Sequence, residues 1–248
     1  MPMNALLALV AVVVSLVTAA EPYEMADLEA LAKKGDYAAL VAHLEDIRPS
    51  KRDAAWDHLV ETGVVGAIGL EAKEPDAMAA WAVVEDLAKR YPTVGKSKSF
   101  RDAARPLVLA GGQACYQLDT QDVFCNQMLL ADAQRDSAAS LEIGKLVAHH
   151  QFAYFAVPFF APAVDLEPKK ACATEELQRA VIAALGLPAD DSKVAIAARI
   201  ATGACATQLR PALVKGLADS GYFKDNACAA LKAKNALDDY QRVQCSGK

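Results

Sequence analysis

The chain has 248 residues, with 26 lysines and arginines against 31 aspartates and glutamates, which gives a formal charge of −5 at pH 7. Apolar residues make up 54% of it and aromatic residues only 6%. The acidic balance argues against a strongly basic nucleic-acid-binding protein, and the apolar share argues against a disordered polar chain. A chain of this length can bury a hydrophobic core and form one or two domains.

Residues 1–20 have the pattern of a secretory signal peptide. A nearly continuous apolar run from Ala5 to Val17 is followed by the small residues Thr18-Ala19-Ala20 and then by a polar sequence. The segment carries no lysine or arginine, which departs from the usual pattern, and an uncleaved membrane anchor is the alternative. We expect cleavage after residue 20 and a periplasmic or secreted protein with no membrane span in its mature part.

Residues 21–145 are predicted to form an N-terminal helical-repeat region. Three helices follow from capping residues and one-sided apolar positions, and Gly63 is expected to stop the second of them. The three helices are 36–47, 51–61 and 76–90. Strand signals are weak because no stretch alternates with β-branched residues, so the predicted fold class is all-α.

Residues 146–170 form an aromatic-rich connection between the two halves of the chain. Between Lys145 and Asp165 the sequence has no charged side chain, but its histidines and prolines suit a membrane-spanning helix poorly. We interpret it as a core helix with its connection, or alternatively as an apolar surface that contacts a partner or ligand. The candidate contact residues are Phe152, Tyr154, Phe155, Phe159 and Phe160.

Residues 171–248 are predicted to form a C-terminal helical-repeat region that contains disulfides. One helix begins after Thr174 and ends at Gly186, and the next begins at Asp191-Ser192. A further helix is expected to end at Ser220-Gly221, and Asp225 is expected to begin the last clear one.

The predicted helices come in pairs with short turns, and their sequences partly repeat. In residues 207–237, Pro211 lies early in the first helix, and Lys224-Asp225 opens an alanine-rich second helix. A shift of 32 positions sets Lys193-Val194-Ala195 on Asp225-Asn226-Ala227. The pattern resembles the HEAT-type helical repeat over about half of the chain after the leader. The resemblance implies stacked antiparallel helix pairs in an α-solenoid-like arrangement that binds a partner; the alternative is an irregular helical bundle.

All six cysteines lie in the second half of the chain. An even number in an exported protein favours disulfides. The simplest pairing is sequential, with Cys115–Cys125, Cys172–Cys205 and Cys228–Cys245, although sequence alone does not choose among the pairings. Metal binding is disfavoured because no Cys-x-x-Cys pair occurs, and buried free thiols are a further alternative. The candidates are Cys115, Cys125, Cys172, Cys205, Cys228 and Cys245.

Several short motifs resemble functional sites but are interpreted as structural. Gly95-Lys96-Ser97 lacks the first glycine of a P-loop, because Arg90 stands in its place. A glycine triplet indicates a loop or a close helix contact, and a small basic patch indicates a solvated helix face or, alternatively, a contact for an anionic partner. The triplet is Gly63, Gly66 and Gly69, and the patch is Lys96, Lys98, Arg101 and Arg105.

The sequence therefore predicts an exported, non-enzymatic binding or scaffold protein of the bacterial envelope that binds another protein or envelope component. We assign it no catalytic residue, cofactor or metal. One alternative is an enzyme or ligand carrier with a site near His149, His150 and Tyr154, although adjacent histidines on a helix point about 100° apart and do not readily share one metal. Another alternative is a membrane-tethered envelope component held by residues 5–20.

Overall fold

The computed structural model describes residues 22–118, 122–188, 191–218, 222–233 and 245. Most of these residues are helical, and none of them lies in a strand, which confirms the all-α prediction. Three short 3-10 helices, at Leu44–Asp46, Pro49–Lys51 and Ala153–Ala156, accompany the α-helices. The described α-helices are Met25–Lys34 (α1), Tyr37–His43 (α2), Ala54–Glu71 (α3), Ala77–Arg90 (α4), Pro92–Gly95 (α5), Lys98–Tyr116 (α6), Asp122–Ala133 (α7), Ser137–His150 (α8), Val157–Leu166 (α9), Pro168–Cys172 (α10), Glu175–Leu185 (α11), Ser192–Thr202 (α12), Ala206–Ala218 (α13) and Tyr222–Ala233 (α14).

Capping side chains explain where several helices begin. Asp36 accepts a hydrogen bond from the backbone N–H of Ala39 at 3.3 Å and starts α2. Asp76 starts α4 and Asp191 starts α12 in the same way, as the sequence predicts. Each cap supplies an acceptor for backbone N–H groups that have no partner inside the helix.

Several predicted helix boundaries are wrong: α2 ends at His43 and not at residue 47, and α3 begins at Ala54 and not at residue 51. Gly63 does not stop α3, which begins after the capping residue Asp53 and continues to Glu71. The last helix begins at Tyr222, so Asp225 lies inside its first turn. At Gly63 the local signal was weaker than helix continuity, because a glycine costs an α-helix only about 1 kcal/mol.

The glycines of α3 lie where a neighbouring helix approaches closely. A Cβ atom at Gly66 would lie 2.3 Å from the ring of Tyr37, and one at Gly63 would lie 3.0 Å from the side chain of Leu40. Both neighbours belong to α2. The close-contact interpretation of the glycine triplet is therefore confirmed at these two positions, whereas Gly69 has open space around it.

The helices pack in successive groups along the chain. α1, α2 and α3 contact one another, and α3 also contacts α4 and α6. α6 contacts α7 and α8, while α8 contacts α9 and α11. α11 and α12 in turn contact α13 and α14. Each group thus packs on the next along the chain.

A continuous cluster of buried apolar side chains follows this stack. Trp81 of α4 and Phe100 of α6 are among the largest fully buried side chains. Trp81 lies against Gly111 of α6, where an added Cβ would be 2.6 Å from Trp81 Cβ and 3.0 Å from the carbonyl oxygen of Ala77. The missing side chain at Gly111 is therefore what lets α4 and α6 pack closely.

The six cysteines form three disulfides in the sequential order that the sequence favours. The Cα–Cα distances are 5.9 Å for Cys115–Cys125, 5.1 Å for Cys172–Cys205 and 5.5 Å for Cys228–Cys245, all within the usual range for this bond. The pairs link α6 to α7, α10 to the turn before α13, and α14 to residue 245. Three disulfides are compatible with an oxidising compartment outside the cytosol.

The aromatic-rich segment 146–170 is itself helical. It forms the end of α8, the 3-10 helix at Ala153–Ala156, α9 and most of α10, and it packs between α8 and α11. Within the described ranges, no helix combines the length and the apolar character needed to cross a bilayer. The predicted signal peptide, residues 1–20, lies outside the described residues.

Candidate functional site

The structure separates the five aromatic candidates into surface and core residues. Phe152 is 73% exposed and its ring stacks on that of Tyr154, with 5.7 Å between centroids. Tyr154 and Phe155 are half-buried and lie 4.6 Å apart. Phe159 and Phe160 are buried, so these two residues belong to the core rather than to a partner-binding surface.

Further exposed apolar side chains lie at the same end of the molecule as Phe152. The C-terminus of α6, the N-terminus of α7 and the C-terminus of α8 meet there, as the contacts among Tyr116, Asn126 and Gln151 show. Leu118, Val123 and Phe124 are 49%, 73% and 46% exposed. We call Leu118, Val123, Phe124 and Phe152 the apolar end surface. Its α6–α7 part gave no sequence signal, because exposure depends on how the helices pack.

Covalent and polar contacts hold the apolar end surface together. The Cys115–Cys125 disulfide joins the ends of α6 and α7. The Tyr116 hydroxyl donates to Asn126 Oδ1 at 2.6 Å, and Asn126 Nδ2 donates to Gln151 Oε1 at 3.3 Å. These bonds link the end of α6 and the start of α7 to Gln151, the residue that precedes Phe152, and so fix the helix ends that carry the exposed side chains.

The two histidines of α8 have structural neighbours. The His150 ring stacks on Tyr116 with centroids 5.3 Å apart, and it lies 5.2 Å from the ring of His149 in an edge-on arrangement. Tyr154 instead contacts Phe152 and Phe155. Across the described parts of the chain, no group of three or more histidine, cysteine, aspartate or glutamate side chains could hold a metal ion.

A separate cleft of about 470 Å³ lies in the N-terminal half. It is formed by the 3-10 helix at Leu44–Asp46, the first turns of α3 and the corner between α4 and α5. Arg52 lies over the ring of Trp56, 4.6 Å from its centroid, and donates to Glu45 at 2.6 Å and to the carbonyl of Ile47 at 2.9 Å. The size falls within the range of small-molecule sites, about 300–1,000 Å³.

Tyr91 contributes an unused hydrogen-bond donor to this cleft. It is only 5% exposed, and its hydroxyl has no hydrogen-bond partner. Arg90 is close to the hydroxyl but not in hydrogen-bond geometry. Burial, with the nearby charge of Glu45, raises the pKa of Tyr91 above its ordinary value of 10.0 and keeps the hydroxyl protonated at neutral pH. An unpaired buried hydroxyl costs about 1–3 kcal/mol, so a bound acceptor is expected to be favourable here.

Three of the four residues of the basic patch pair with acidic side chains. Arg101 and Arg105 lie 3.1 Å and 3.5 Å from Asp136, and Lys98 pairs with Asp102. Two carboxylates thus offset part of the positive charge of the patch, which agrees with the structural interpretation.

Asp132 is a buried carboxyl whose ionisation is perturbed. It is 1% exposed, accepts a hydrogen bond from Trp81 Nε1 at 3.0 Å, and lies 2.6 Å from Arg135 Nε in an ion pair whose angle does not suit a hydrogen bond. Arg135 also pairs with Glu85 at 2.7 Å. Burial raises the pKa of Asp132 to about 7, against the attraction of Arg135, and the carboxylate of Glu85 adds to the rise. The adjacent crevice holds about 20 Å³, room for one water molecule.

The raised pKa of Asp132 predicts a pH-dependent stability. Folded Asp132 releases its proton near pH 7, whereas the unfolded side chain releases it near 3.8, so the folded state binds more protons between these values and loses stability as pH rises through them. Raising the pH from 6 to 8 is expected to lower the free energy of unfolding by about 1 kcal/mol through this group.

Urea denaturation at both pH values, for the wild type and Asp132→Asn, measures this effect. The four histidines are common to both proteins, so their contribution cancels in the comparison. The variant is expected to lose this part of the pH dependence. An identical pH dependence in the two proteins would contradict the assignment.

The described residues thus form an all-α, disulfide-stabilised stack of helices with an apolar end surface and an aromatic-lined cleft. Comparison of the chain with protein-family models, with curated proteins and with solved structures finds no match in any of the three.

Proposed function

We propose that the chain is an exported, non-enzymatic binding protein of the bacterial envelope that docks a partner protein through the apolar end surface. The observation that carries the proposal is the grouping of Leu118, Val123, Phe124 and Phe152 on one braced end of the stack. Contiguous exposed apolar side chains mark interaction sites, and aromatic residues are enriched at protein interfaces.

Export is supported by two features of the chain. Residues 1–20 carry the signal-peptide pattern, and the three disulfides suit an oxidising compartment. The partner is therefore expected to lie in the same compartment as the chain, which is the periplasm or the exterior of the cell. The HEAT-like interpretation also belongs to this proposal, since helical stacks present extended surfaces to other proteins.

Substitutions that remove apolar area test the docking surface. Phe124→Ser and Phe152→Ser together are expected to weaken capture of the partner from an envelope extract by at least about tenfold, because buried aromatic anchors dominate interface energies. Leu166→Ser is the matched control. Leu166 is 61% exposed, but it lies at the C-terminus of α9, whereas Phe152 precedes the N-terminus of that helix. Proteins bound to each immobilised variant are compared by quantitative mass spectrometry.

The outcomes distinguish the occupants of the surface. A protein that is bound by the wild type and Leu166→Ser but lost from the double variant supports the proposal. If light scattering instead shows a dimer that the double variant abolishes, the occupant is a second copy of the chain. If every bound protein is retained by all three forms, the apolar end surface is not the docking site.

A further inference from the structure

We propose that the N-terminal cleft is a binding site for a cationic ligand, an ammonium group on an aliphatic stem that also carries a hydrogen-bond acceptor. Asp57 and Glu61 would hold the ammonium group, and the hydroxyl of Tyr91 would donate to the acceptor. This site is distinct from the apolar end surface and would take a small molecule or a single lysine-like side chain.

The carboxylates of the cleft favour a positive charge. Asp57 and Glu61 are four residues apart on α3, so they share one helix face, and both line the cleft. Glu61 accepts a hydrogen bond from the Ser99 hydroxyl. Among the residues that the structure describes, no lysine, arginine or histidine forms an ion pair with either carboxylate. Their negative charge is therefore available to a ligand.

The arginines of the cleft are already engaged. Arg52 pairs with Glu45 at 2.6 Å, and Arg90 pairs with Asp86. An anionic ligand would have to compete with these carboxylates for the guanidinium groups. A cationic ligand meets no such competition at Asp57 and Glu61, which decides the sign of the expected ligand.

Tyr91 supplies the second, independent indication of a ligand. Its hydroxyl is buried without a partner, and the three charged groups that act on it, Glu45, Arg90 and Arg52, all line the cleft. Tyr91 itself lines the cleft, and its buried hydroxyl, close to these three charged groups, is a donor without a hydrogen-bond acceptor among the described residues. Buried polar groups are nearly always paired in folded proteins, so an acceptor from a ligand would complete this site.

The remaining walls suit an aliphatic stem. Trp56 and Val60 of α3 face the cleft from one side, and Pro92 and Val94 of α5 face it from the other. A stem placed between these side chains loses contact with water, which favours binding in proportion to the apolar area that it buries. A lysine side chain within a peptide has all three parts: ammonium group, methylene stem and backbone carbonyl.

Titration with Nα-acetyl-lysine methylamide, followed by NMR chemical-shift changes, tests the proposal. We expect a dissociation constant on the order of 1 mM for a ligand of this size. Asp57→Asn and Tyr91→Phe are each expected to weaken binding by about tenfold. Glu74→Gln is the matched control, because it removes the same charge just beyond the end of α3 and outside the cleft, and its binding should stay within about twofold of the wild type.

Two further measurements separate a ligand contact from a structural role. The thermal midpoint of Tyr91→Phe should equal or exceed that of the wild type, because the hydroxyl has no partner in the free protein. Cadaverine, which has ammonium groups but no acceptor, should bind more weakly and should lose no affinity in Tyr91→Phe. This comparison distinguishes a lysine-like ligand from a free diamine.

Several results would overturn the proposal. These are no saturable shift with Nα-acetyl-lysine methylamide, equal binding of its neutral Nε-acetylated form, or unchanged affinity in both Asp57→Asn and Tyr91→Phe. If one variant fails to fold, the other and the neutral probe still decide the outcome. The double variant at Phe124 and Phe152 should bind the probe normally, so failure of the docking proposal and failure of this one remain distinguishable.

Discussion

Replacing Cys172 and Cys205 together by alanine is expected to lower the free energy of unfolding by about 4 kcal/mol. Their disulfide closes a loop of 33 residues that contains α11 and α12. Without it the unfolded chain gains conformational freedom that grows with the length of the loop. Guanidinium or urea denaturation of the oxidised proteins measures the difference.

The Cys115–Cys125 disulfide provides the matched control. All four cysteines are fully buried, so alanine removes similar packing in the two double variants, but this loop spans only 10 residues. Its removal is expected to cost about 3 kcal/mol, about 1 kcal/mol less than the longer loop. A larger loss for the shorter loop would show that local packing, rather than the freedom of the unfolded chain, dominates the stabilisation.

The second large effect is expected at Gly111. Gly111→Ala should lower the free energy of unfolding by about 1–3 kcal/mol, although alanine favours the helix more than glycine does. Its Cβ would lie 2.6 Å from Trp81 Cβ and 3.0 Å from the carbonyl oxygen of Ala77. Neither atom is the flexible end of a side chain, so α4 and α6 would have to move apart. Urea denaturation measures the change.

Gly69→Ala separates crowding from helix propensity. Gly69 lies inside α3, and an added Cβ there meets no atom within 4 Å. This variant is expected to be more stable than the wild type by about 0.5–1 kcal/mol. Opposite signs at the two glycines would establish that Gly111 is required by the contact between α4 and α6. Equal and small effects at both would contradict that requirement.

Much of the helical structure could be predicted from local features of the sequence. Asp36, Asp76 and Asp191 cap the helices that follow them, because a carboxylate beside free backbone N–H groups acts over only a few residues. The sequential disulfides follow a similar logic, since nearby cysteines meet most easily as a chain folds.

The structural role of Gly63 and the length of α3 could not be predicted in the same way. A glycine can end a helix or allow a close helix crossing, and only the neighbour at that position decides between the two. At Gly63 and Gly66 the neighbour is α2, whose Leu40 and Tyr37 occupy the space of the missing side chains.

The exposure of the aromatic candidates also could not be predicted from local sequence. Phe152 and Phe160 belong to one apolar segment, yet one is 73% exposed and the other is fully buried. Residues of one type in one segment can lie on opposite sides of a helical layer, so composition alone does not assign them to surface or core. The cleft around Tyr91 brings together residues from several elements between Glu45 and Ser97, and no residue spacing within any one element predicts the cleft.

By itself, the amino-acid sequence determined the helical class and the starts of α2, α4, α11 and α12, and it favoured the sequential pairing of the cysteines, because each depends on residues that are close along the chain. Only the tertiary structure decided which apolar side chains stay exposed, which glycines are helix contacts, and where Tyr91 and Asp132 lie. Those properties depend on packing between helices that are distant in sequence, and packing sets burial, hydrogen bonding and charge environment together.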